Sequence, residues 1–407
     1  MPAAERTTVR ALLARPVYRR WWAAAVISRA GDVLAGVTLL LLVLERTGSG
    51  TGVAGVVIAE VLPVLLLAPL AGVVVDRLSR RQVMIAADLV RTALAAILPL
   101  VEANVVAIYA IAFGLSAATV FFNPAANSLL PALVGERELV TANSGIWTTA
   151  IIAQIALAPL AGTLAAVAGF AGAFWINAAT FAASAVLLTG LAVPRHQVGT
   201  ISHSVLRNAL DGARLLVADP LLRALAVSQL LAALSAGATS ALLVVLVREQ
   251  LGLGPQGFGW LLAAVAVGAV SGATLLTRFV QDPARPDIVF CSYGIRGLAN
   301  VLLAITTWPS LAAAALVVYG LGTSTGAITL TSLVQTHVEE AARGRVFAGF
   351  DALFQTGRLA SLLLGGLLAD GLGITAVYFV GAALLLTAAA SGLGQHRPPR
   401  DEHPHQP

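Results

Sequence analysis

The sequence contains no lysine and only one cysteine, Cys291, among its 407 residues. A single cysteine excludes an intrachain disulfide and a cysteine metal cluster, and no other ligand pattern leads us to expect a metal or a cofactor. Without lysine the chain cannot form the phosphate-binding loop of ATPases, which excludes ATP-driven transport within it. The hydrolase-like pattern Gly-x-Ser-x-Gly at 322–326 lies inside an apolar segment, and none of the six histidines lies in such a segment to act as its base, so we expect no enzyme.

Charge is also scarce. Charged residues make up 11% of the chain, against about 25% in soluble domains, while 58% of the residues are hydrophobic. A soluble fold could not bury so much apolar surface, whereas a lipid bilayer is itself an apolar solvent, and a spanning helix needs about 20 apolar residues. The sequence therefore predicts an all-α membrane protein with twelve transmembrane helices. The twelve apolar segments begin near Trp21, Gly52, Gln82, Val105, Thr141, Phe170, Leu221, Gly257, Ile288, Leu311, Val346 and Ile374.

One long polar stretch divides these segments into two groups of six. We predict an N-terminal six-helix bundle over residues 1–193, a cytoplasmic linker over 194–219, a C-terminal six-helix bundle over 220–395 and a cytoplasmic tail over 396–407. Within the linker, residues 204–217 place apolar side chains at helical spacing among polar ones. This spacing indicates an amphipathic helix on the membrane surface.

Arginine is distributed unevenly between the connections. The two termini and alternate connections hold most of the 25 arginines, whereas the connections on the other side hold only Arg46 and Arg248. Because arginine in short loops marks the cytoplasmic face, we predict a protein of the bacterial inner membrane with both termini in the cytoplasm. This placement explains the net charge of +5 without a nucleic-acid partner, and we expect a monomer.

A weak internal repeat aligns residues 128–145 with residues 332–349, in each case between the fourth and fifth segments of a half. Two halves that repeat in the same sense place a substrate site between them, near the midplane of the membrane.

The connection after the second segment carries a recognisable motif. Residues 72–81 read Gly-Val-Val-Val-Asp-Arg-Leu-Ser-Arg-Arg. This resembles the Gly-x-x-x-Asp-Arg-x-Gly-Arg-Arg signature of the major facilitator superfamily, with Ser79 in place of the second glycine. The counterpart at 272–278 keeps the glycine and an arginine but has Leu276 in place of the acid. The resemblance implies the major facilitator fold, in which two pseudo-symmetric six-helix bundles face each other.

Further patterns narrow the resemblance. They are Ser-Arg-Ala-Gly-Asp at 28–32, Asn-Pro-Ala-Ala-Asn at 123–127, Ala-Asn-Ser at 142–144, Asn-Ala-Ala-Thr-Phe at 177–181 and Ala-Pro-Leu-Ala-Gly at 158–162. They are similar to the drug:proton antiporter branch that includes macrolide-efflux and enterobactin-exporter proteins. Pro159 and Gly162 match the end of its Gly-Pro-x-x-Gly signature, from which Ala158 departs. This resemblance implies a proton-driven exporter.

The resemblance also implies a cytoplasmic gate after the second helix, where such residues hold the two halves together. An acid there can face the N-terminus of a helix in the other half, whose macrodipole favours an anion. The alternative is that the arginines only anchor the loop in the cytoplasm. We interpret an i,i+3 pair in the third segment as a structural link to this gate. The predicted gate residues are Gly72, Asp76, Arg77, Arg80, Arg81, Asp88 and Arg91.

Acids within the apolar segments are candidates for proton coupling. Asp32 lies about 16 Å deep, near the midplane, if its helix starts at Trp21 and rises 1.5 Å per residue. A charged carboxylate at that depth is costly and tends to be neutralised by a proton, as a proton-coupled step requires. The alternative is a structural pair with Arg29, one turn away. Glu60 is a second candidate, with an arginine on a neighbouring helix as the alternative. The predicted coupling residues are Asp32, Glu60 and Arg29.

The resemblance implies that the first, fourth, seventh and tenth helices line the cavity, and they offer aromatic and hydroxyl groups with few charges. Such a lining suits an amphipathic small molecule, although these side chains also pack between helices. The predicted cavity residues are Tyr109, Phe113, Phe122, Gln229, Tyr319 and Thr323. Asp351, Gln355 and Arg358 share one face of the eleventh helix, which we interpret as structural or gating because lipid would not accept that face.

Together these features predict a secondary active transporter that exports a small amphipathic organic compound by proton antiport and alternating access. Its partners would be the substrate, protons and the lipid bilayer. Two alternatives stay open: a proton-coupled uptake symporter for a small nutrient, and a non-transporting membrane scaffold with the same fold.

Overall fold

The computed structural model describes residues 8–135, 138–191 and 214–392, which are helical apart from short connections. In chain order the helices are α1 (Val9–Leu13), α2 (Pro16–Thr47), α3 (Gly50–Arg77), α4 (Arg80–Val101), α5 (Val105–Leu133), α6 (Leu139–Thr189), α7 (Pro220–Ala241), α8 (Leu243–Glu249), α9 (Pro255–Phe279), α10 (Pro286–Ile305), α11 (Pro309–His337), α12 (Glu340–Leu372) and α13 (Ile374–Ala390).

Local sequence signals fix where these helices begin. The first residue is proline in α2, α7, α9, α10 and α11, because the first turn of a helix does not need that N–H group. Ser49, Asn104 and Asp219 cap α3, α5 and α7, since each side chain accepts a hydrogen bond from a backbone N–H of the first turn.

The described helices make twelve membrane crossings, as predicted. Ten of the helices are long and apolar enough to span a bilayer. One of the ten, α6, has 51 residues and is divided at Gly169, whose φ of 70° and ψ of 173° interrupt the helix, so it provides two crossings. The 17-residue apolar helix α13 is the twelfth crossing. Each of the twelve crossings begins within six residues of its predicted start, and the short helices α1 and α8 were not predicted.

The crossings form two bundles of six, α2 to α6 and α7 to α13. The polar stretch that separates them in the sequence lies largely outside the described residues, as does the predicted tail at 396–407. Of the predicted surface helix, only residues 214–217 are described, and they are helical. The domain boundaries therefore stay predictions.

Among the described residues, the two halves pack together mainly towards one end. We call the end where α3 meets α4 the arginine-rich end, and the end where α2 meets α3 the arginine-poor end. At the arginine-poor end, one apolar cluster joins Val37 and Ala161 of the first half to Leu246 and Ile374 of the second. At the arginine-rich end, the described apolar residues form two separate clusters, one in each half.

Candidate functional site

A buried group of three charges links α2 to α4. The guanidinium of Arg91 donates hydrogen bonds to Asp32 Oδ1 at 3.0 Å and to Asp88 Oδ1 at 2.5 Å. The side chains of Asp88 and Arg91 have no exposed surface, whereas 25% of the Asp32 side chain is exposed. We call Asp32, Asp88 and Arg91 the charge triad. One cation therefore serves two carboxylates, and only Asp32 is open to solvent.

This arrangement corrects one alternative and one prediction. The cation bonded to Asp32 is Arg91 and not Arg29, which is exposed and forms no ion pair among the described residues. The predicted pair of Asp88 and Arg91 is present, but it contacts Asp32 and not the gate. The reason is depth: Arg91 lies eleven residues into α4, about 16 Å from its start at 1.5 Å per residue.

Aromatic and hydroxyl groups complete the surroundings of Arg91. Its guanidinium carbon lies 4.4 Å from the ring centre of Phe122 and 4.6 Å from that of Phe181, which are cation–π distances. Ser28 donates to Asp88 Oδ1 at 3.2 Å, and Thr119 donates to Asp32 Oδ1 at 3.4 Å. The triad is therefore held from α2, α4, α5 and α6.

Glycine beside Asp32 brings α2 close to α6. A Cβ atom on Gly31 would lie 2.5 Å from the hydroxyl oxygen of Thr180 and 2.8 Å from the ring of Phe181. A larger residue at this position would push apart the two helices that enclose Arg91. The Ser-Arg-Ala-Gly-Asp pattern thus supplies both a charge and the close approach that positions it.

A cavity of about 480 Å³ opens beside the triad, within the first half. Its lining combines indole and phenyl rings, three asparagine amides and two charged side chains, a mixture that suits an amphipathic ligand. Asp32 is its carboxylate and Arg29 its cation. The lining residues are Trp21, Trp22, Ala25, Val26, Ser28, Arg29, Asp32, Phe122, Asn123, Ala126, Asn127, Asn143, Ile146, Thr149, Ala150 and Ala153.

Of the six predicted cavity residues, Phe122 lines this cavity and the others do not. Tyr109 donates to the backbone carbonyl of Gly52 at 2.9 Å and so packs α5 against α3, which was the alternative interpretation. Phe113 is partly buried, and Thr323 is exposed with its hydroxyl bonded to its own helix. A substrate role for these residues stays a prediction.

Gln229 and Tyr319 belong to a second polar cluster, around Arg296 in α10. The buried Arg296 guanidinium donates to the Tyr319 hydroxyl at 3.1 Å, and the Tyr293 hydroxyl donates to Gln229 at 3.0 Å. Asp88-x-x-Arg91 in α4 thus corresponds to Tyr293-x-x-Arg296 in α10, with tyrosine in place of the acid. Arg296 forms no ion pair among the described residues, so the second half has no equivalent of the charge triad.

Glu60 and Arg358 lie on two helices that pack together across the boundary between the halves, α3 and α12. Among the described contacts, no ion pair or hydrogen bond joins their side chains, so the role of Glu60 stays a prediction. An arginine on a neighbouring helix was the alternative to a coupling role for Glu60. On the same helix as Arg358, Gln355 is partly buried and Asp351 is exposed.

Five of the seven predicted gate residues lie where α3 ends and α4 begins, whereas Asp88 and Arg91 lie deeper in α4, in the charge triad. Arg77 is exposed, and Arg81 donates to the backbone carbonyl of Thr189, within the same half. Among the described residues, no atom outside the neighbouring backbone of α3 lies within 4 Å of the place where Gly72 would carry a Cβ atom. Arg80 is partly buried, and the side chain of Asp76 lies outside the described part. Among the described contacts, none of these three arginines bonds to the second half, in agreement with the separate apolar clusters at this end.

The antiporter-like motif lies at the opposite end, in contact with the second half. A Cβ atom on Gly162 would lie 2.1 Å from the carbonyl oxygen of Pro255, and one on Gly259 would lie 2.3 Å from that of Ala158. Small residues in α6 and α9 therefore allow two backbones to touch across the boundary between the halves.

A further contact between the halves was not predicted. Asp370, near the end of α12, accepts hydrogen bonds from Ser49, Gly50 and Thr51 at the start of α3. A carboxylate at the C-terminus of its own helix is opposed by that helix's macrodipole. That unfavourable placement was the signal in the sequence from which this contact could have been found.

These features define a transporter of the major facilitator type: twelve crossings, two six-helix halves whose described residues pack towards one end, and a cavity beside a buried group of charges. The chain belongs to the transmembrane secretion effector family, whose model matches residues 7–407. This family consists of transporters and not enzymes.

Known proteins support this assignment. The chain is 28% identical over 373 residues to the multidrug efflux pump Tap of Mycolicibacterium fortuitum, covering 87% of this chain and 90% of Tap. It is 22% identical over 376 residues to macrolide efflux protein A of Streptococcus pyogenes, covering 90% and 93% of the two chains.

Solved structures share the fold. A bacterial homologue of the iron transporter ferroportin, in its inward-facing state, superposes with a TM-score of 0.74 at 16% identity, covering 95% of this chain and 99% of that one. The nucleoside transporter NupG superposes with a TM-score of 0.72 at 15% identity, covering 92% and 98%.

Proposed function

We propose that this chain exports a small amphipathic organic compound across the bacterial inner membrane in exchange for protons. The relatives that are named efflux pumps support export of drug-like compounds. The proposed coupling of protons to transport rests on one observation. Asp32 lines the cavity and is also bonded to the buried Arg91.

The charge triad gives a proton a way to act on the fold. When Asp32 is charged, Arg91 is shared between two carboxylates, and the resulting bond ties α2 to α4. When Asp32 takes up a proton, Arg91 keeps its pair with Asp88, and the bond to α2 weakens. Protons and substrate that meet at this carboxylate would then change the relative free energies of the inward-open and outward-open states.

The packing of the halves fits one state of such a cycle. With the arginine-rich end in the cytoplasm, halves that join at the arginine-poor end form an inward-open transporter. In the opposite state, the segment 72–81 would close the cytoplasmic end, with Asp76 at the N-terminus of a helix of the second half. The open space beside Gly72 in the present state agrees with such a closing surface.

Asp32→Asn tests the coupling directly. This change keeps the size of the side chain but removes its charge and its exchange of protons. Cells that express the variant should accumulate amphipathic dyes such as ethidium to the level of cells without the gene, while wild-type cells accumulate less. The matched control is Asp282→Asn, which changes an exposed loop acid remote from the cavity.

The same assay separates the alternatives. Wild-type efflux by Asp32→Asn, at equal amounts in the membrane, would refute the coupling role. Higher accumulation in cells with the wild-type gene than in cells without it would indicate uptake rather than export.

A further inference from the structure

Asp370 makes three hydrogen bonds across the boundary between the two halves. Its Oδ2 atom accepts from the Ser49 hydroxyl at 2.7 Å and from the Thr51 backbone at 3.1 Å, and its Oδ1 atom accepts from the Gly50 backbone at 2.6 Å. Ser49 also caps α3 itself, by accepting from the backbone N–H of Gly52 at 3.2 Å. One carboxylate of the second half thus completes the N-terminus of a 28-residue helix of the first half.

The energy of Asp370 depends on this contact. At the C-terminal end of α12 the helix dipole disfavours its negative charge, whereas at the N-terminal end of α3 the dipole and two free N–H groups favour it. Separation of the halves would remove the favourable field of α3 and leave Asp370 in the unfavourable field of its own helix, α12. The contact is therefore stabilising only while the arginine-poor end is closed.

The surrounding residues are small enough to let the two helices touch. A Cβ atom on Gly50 would lie 2.7 Å from the Cβ atom of Ala369, and one on Gly366 would lie 2.9 Å from the Cα atom of Thr51. Further along the same interface, Val57 of α3 belongs to an apolar cluster with Leu362 of α12. The carboxylate therefore stands at the rim of a closely packed seam between α3 and α12.

We infer that Asp370 is the latch that holds the arginine-poor end closed during transport. This inference rests on the alternating access proposed above. Helices α3 and α12 run in opposite directions along their contact, and each carries an aspartate in its last turn, Asp76 and Asp370. Asp370 faces the start of α3, and the motif predicts that Asp76 faces the start of a helix in the second half. The two aspartates would bind in alternate states, so that each end closes as the other opens.

Thiol accessibility tests the latch without a transport substrate. Val57→Cys in a Cys291→Ser background places a reactive group inside the seam, where only 7% of Val57 is exposed. The protein is placed in lipid nanodiscs and treated with a bulky maleimide. We expect Asp370→Asn to raise the labelling rate about fivefold, because an amide has no charge and only one acceptor oxygen, and the weaker contact shifts the balance toward the state that is open at this end.

Glu102→Gln provides a matched control. Glu102 is an acid at the same end of the molecule, but it pairs with Arg46 of its own half at 2.8 Å, so its loss should leave the labelling rate unchanged. Ser49→Ala is a second, milder variant that removes one of the three bonds and should raise the rate by a smaller factor. It keeps the test usable if Asp370→Asn does not fold.

The outcomes separate the latch from the proposed function. Equal labelling of folded Asp370→Asn, Ser49→Ala and the parent protein would overturn the latch, even if Asp32→Asn abolishes efflux. Faster labelling in both latch variants would support it even if no exported compound were found. An equal rise in Glu102→Gln would also overturn it, because the effect would then come from any lost acid at this end.

Discussion

Arg91 of α4 contacts side chains of three other helices of the first half, α2, α5 and α6. It lies at zero exposure between two carboxylates and two aromatic rings: its two terminal nitrogens donate to Asp32 and Asp88, whereas its Nε–H has no partner among the described residues. A buried charge is costly when its partner is removed, because the remaining ion keeps its desolvation cost without compensation. The charge triad is thus a structural element as well as a candidate coupling site.

Arg91→Gln should therefore destabilise the protein strongly. Removal of the cation leaves Asp88 buried without it, at a cost of about 3–5 kcal/mol in the free energy of unfolding. The melting temperature of the purified variant in detergent should fall well below that of the parent. Arg29→Gln, on an exposed arginine of the same cavity, should change stability by about 0.5 kcal/mol or less.

A second substitution checks the cause. Asp88→Asn placed on Arg91→Gln should restore part of the lost melting temperature, because it removes the unpaired charge. If Arg91→Gln melts like Arg29→Gln, the triad does not stabilise the fold as described.

At this scale the sequence predicted some features and missed others. The depth of Asp32 follows from helix rise alone, and the i,i+3 pair of Asp88 and Arg91 follows from helix geometry. The bond from Arg91 to Asp32 joins residues 59 positions apart and depends on how α2 packs on α4. Spacing along one helix carries no information about such a contact, which is why the nearer Arg29 was the partner considered.

At the scale of elements, glycine decides where helices of different halves can touch. Gly162 in α6 leaves no room for a methyl group beside the Pro255 carbonyl, whereas Gly72 in α3 faces open space. Both glycines lie in helices and belong to the motifs found in the sequence, so the motifs alone do not predict which of the two contacts the second half. Their surroundings give them different roles in this state.

Gly162→Ala and Gly72→Ala form a matched pair. The first should lower the free energy of unfolding by about 1–3 kcal/mol, because the new methyl group must displace a backbone carbonyl. The second should raise it slightly, by up to about 1 kcal/mol, since alanine favours helix and meets no neighbour. Melting temperatures in detergent measure both, and equal effects of the two changes would contradict the packing of α6 on α9.

Helices were the best predicted elements. Long apolar runs place each crossing, and proline or a polar cap marks its start, so the observed starts agree with those read from the sequence. Neither a proline nor a polar cap marks the division of α6, because its two crossings join without a polar connection, but the predicted start near Phe170 lies one residue from the break at Gly169. Only the left-handed backbone at Gly169 separates them.

At the scale of the whole molecule, the two halves share a fold but not a chemistry. The first half holds the charge triad and the cavity, whereas the second has tyrosine where the triad has Asp88. The second half contributes Asp370, which bonds to the first half across the seam. We infer that the proton binds in the first half. The contact between α3 and α12 would then transmit the resulting movement to the second half.

The most direct test of this account is the distance between the halves at the arginine-rich end as the pH changes. This distance can be measured by double electron–electron resonance between spin labels on Leu78→Cys and Thr336→Cys, in a Cys291→Ser background. Both positions are exposed, and they lie in different halves. Between about pH 8 and about pH 5, a range in which carboxylates in proteins can take up protons, the distance distribution of the parent should shift. In Asp32→Asn it should be the same at both pH values. A pH-dependent shift in Asp32→Asn equal to that of the parent would contradict the claim that Asp32 couples protons to the movement of the halves.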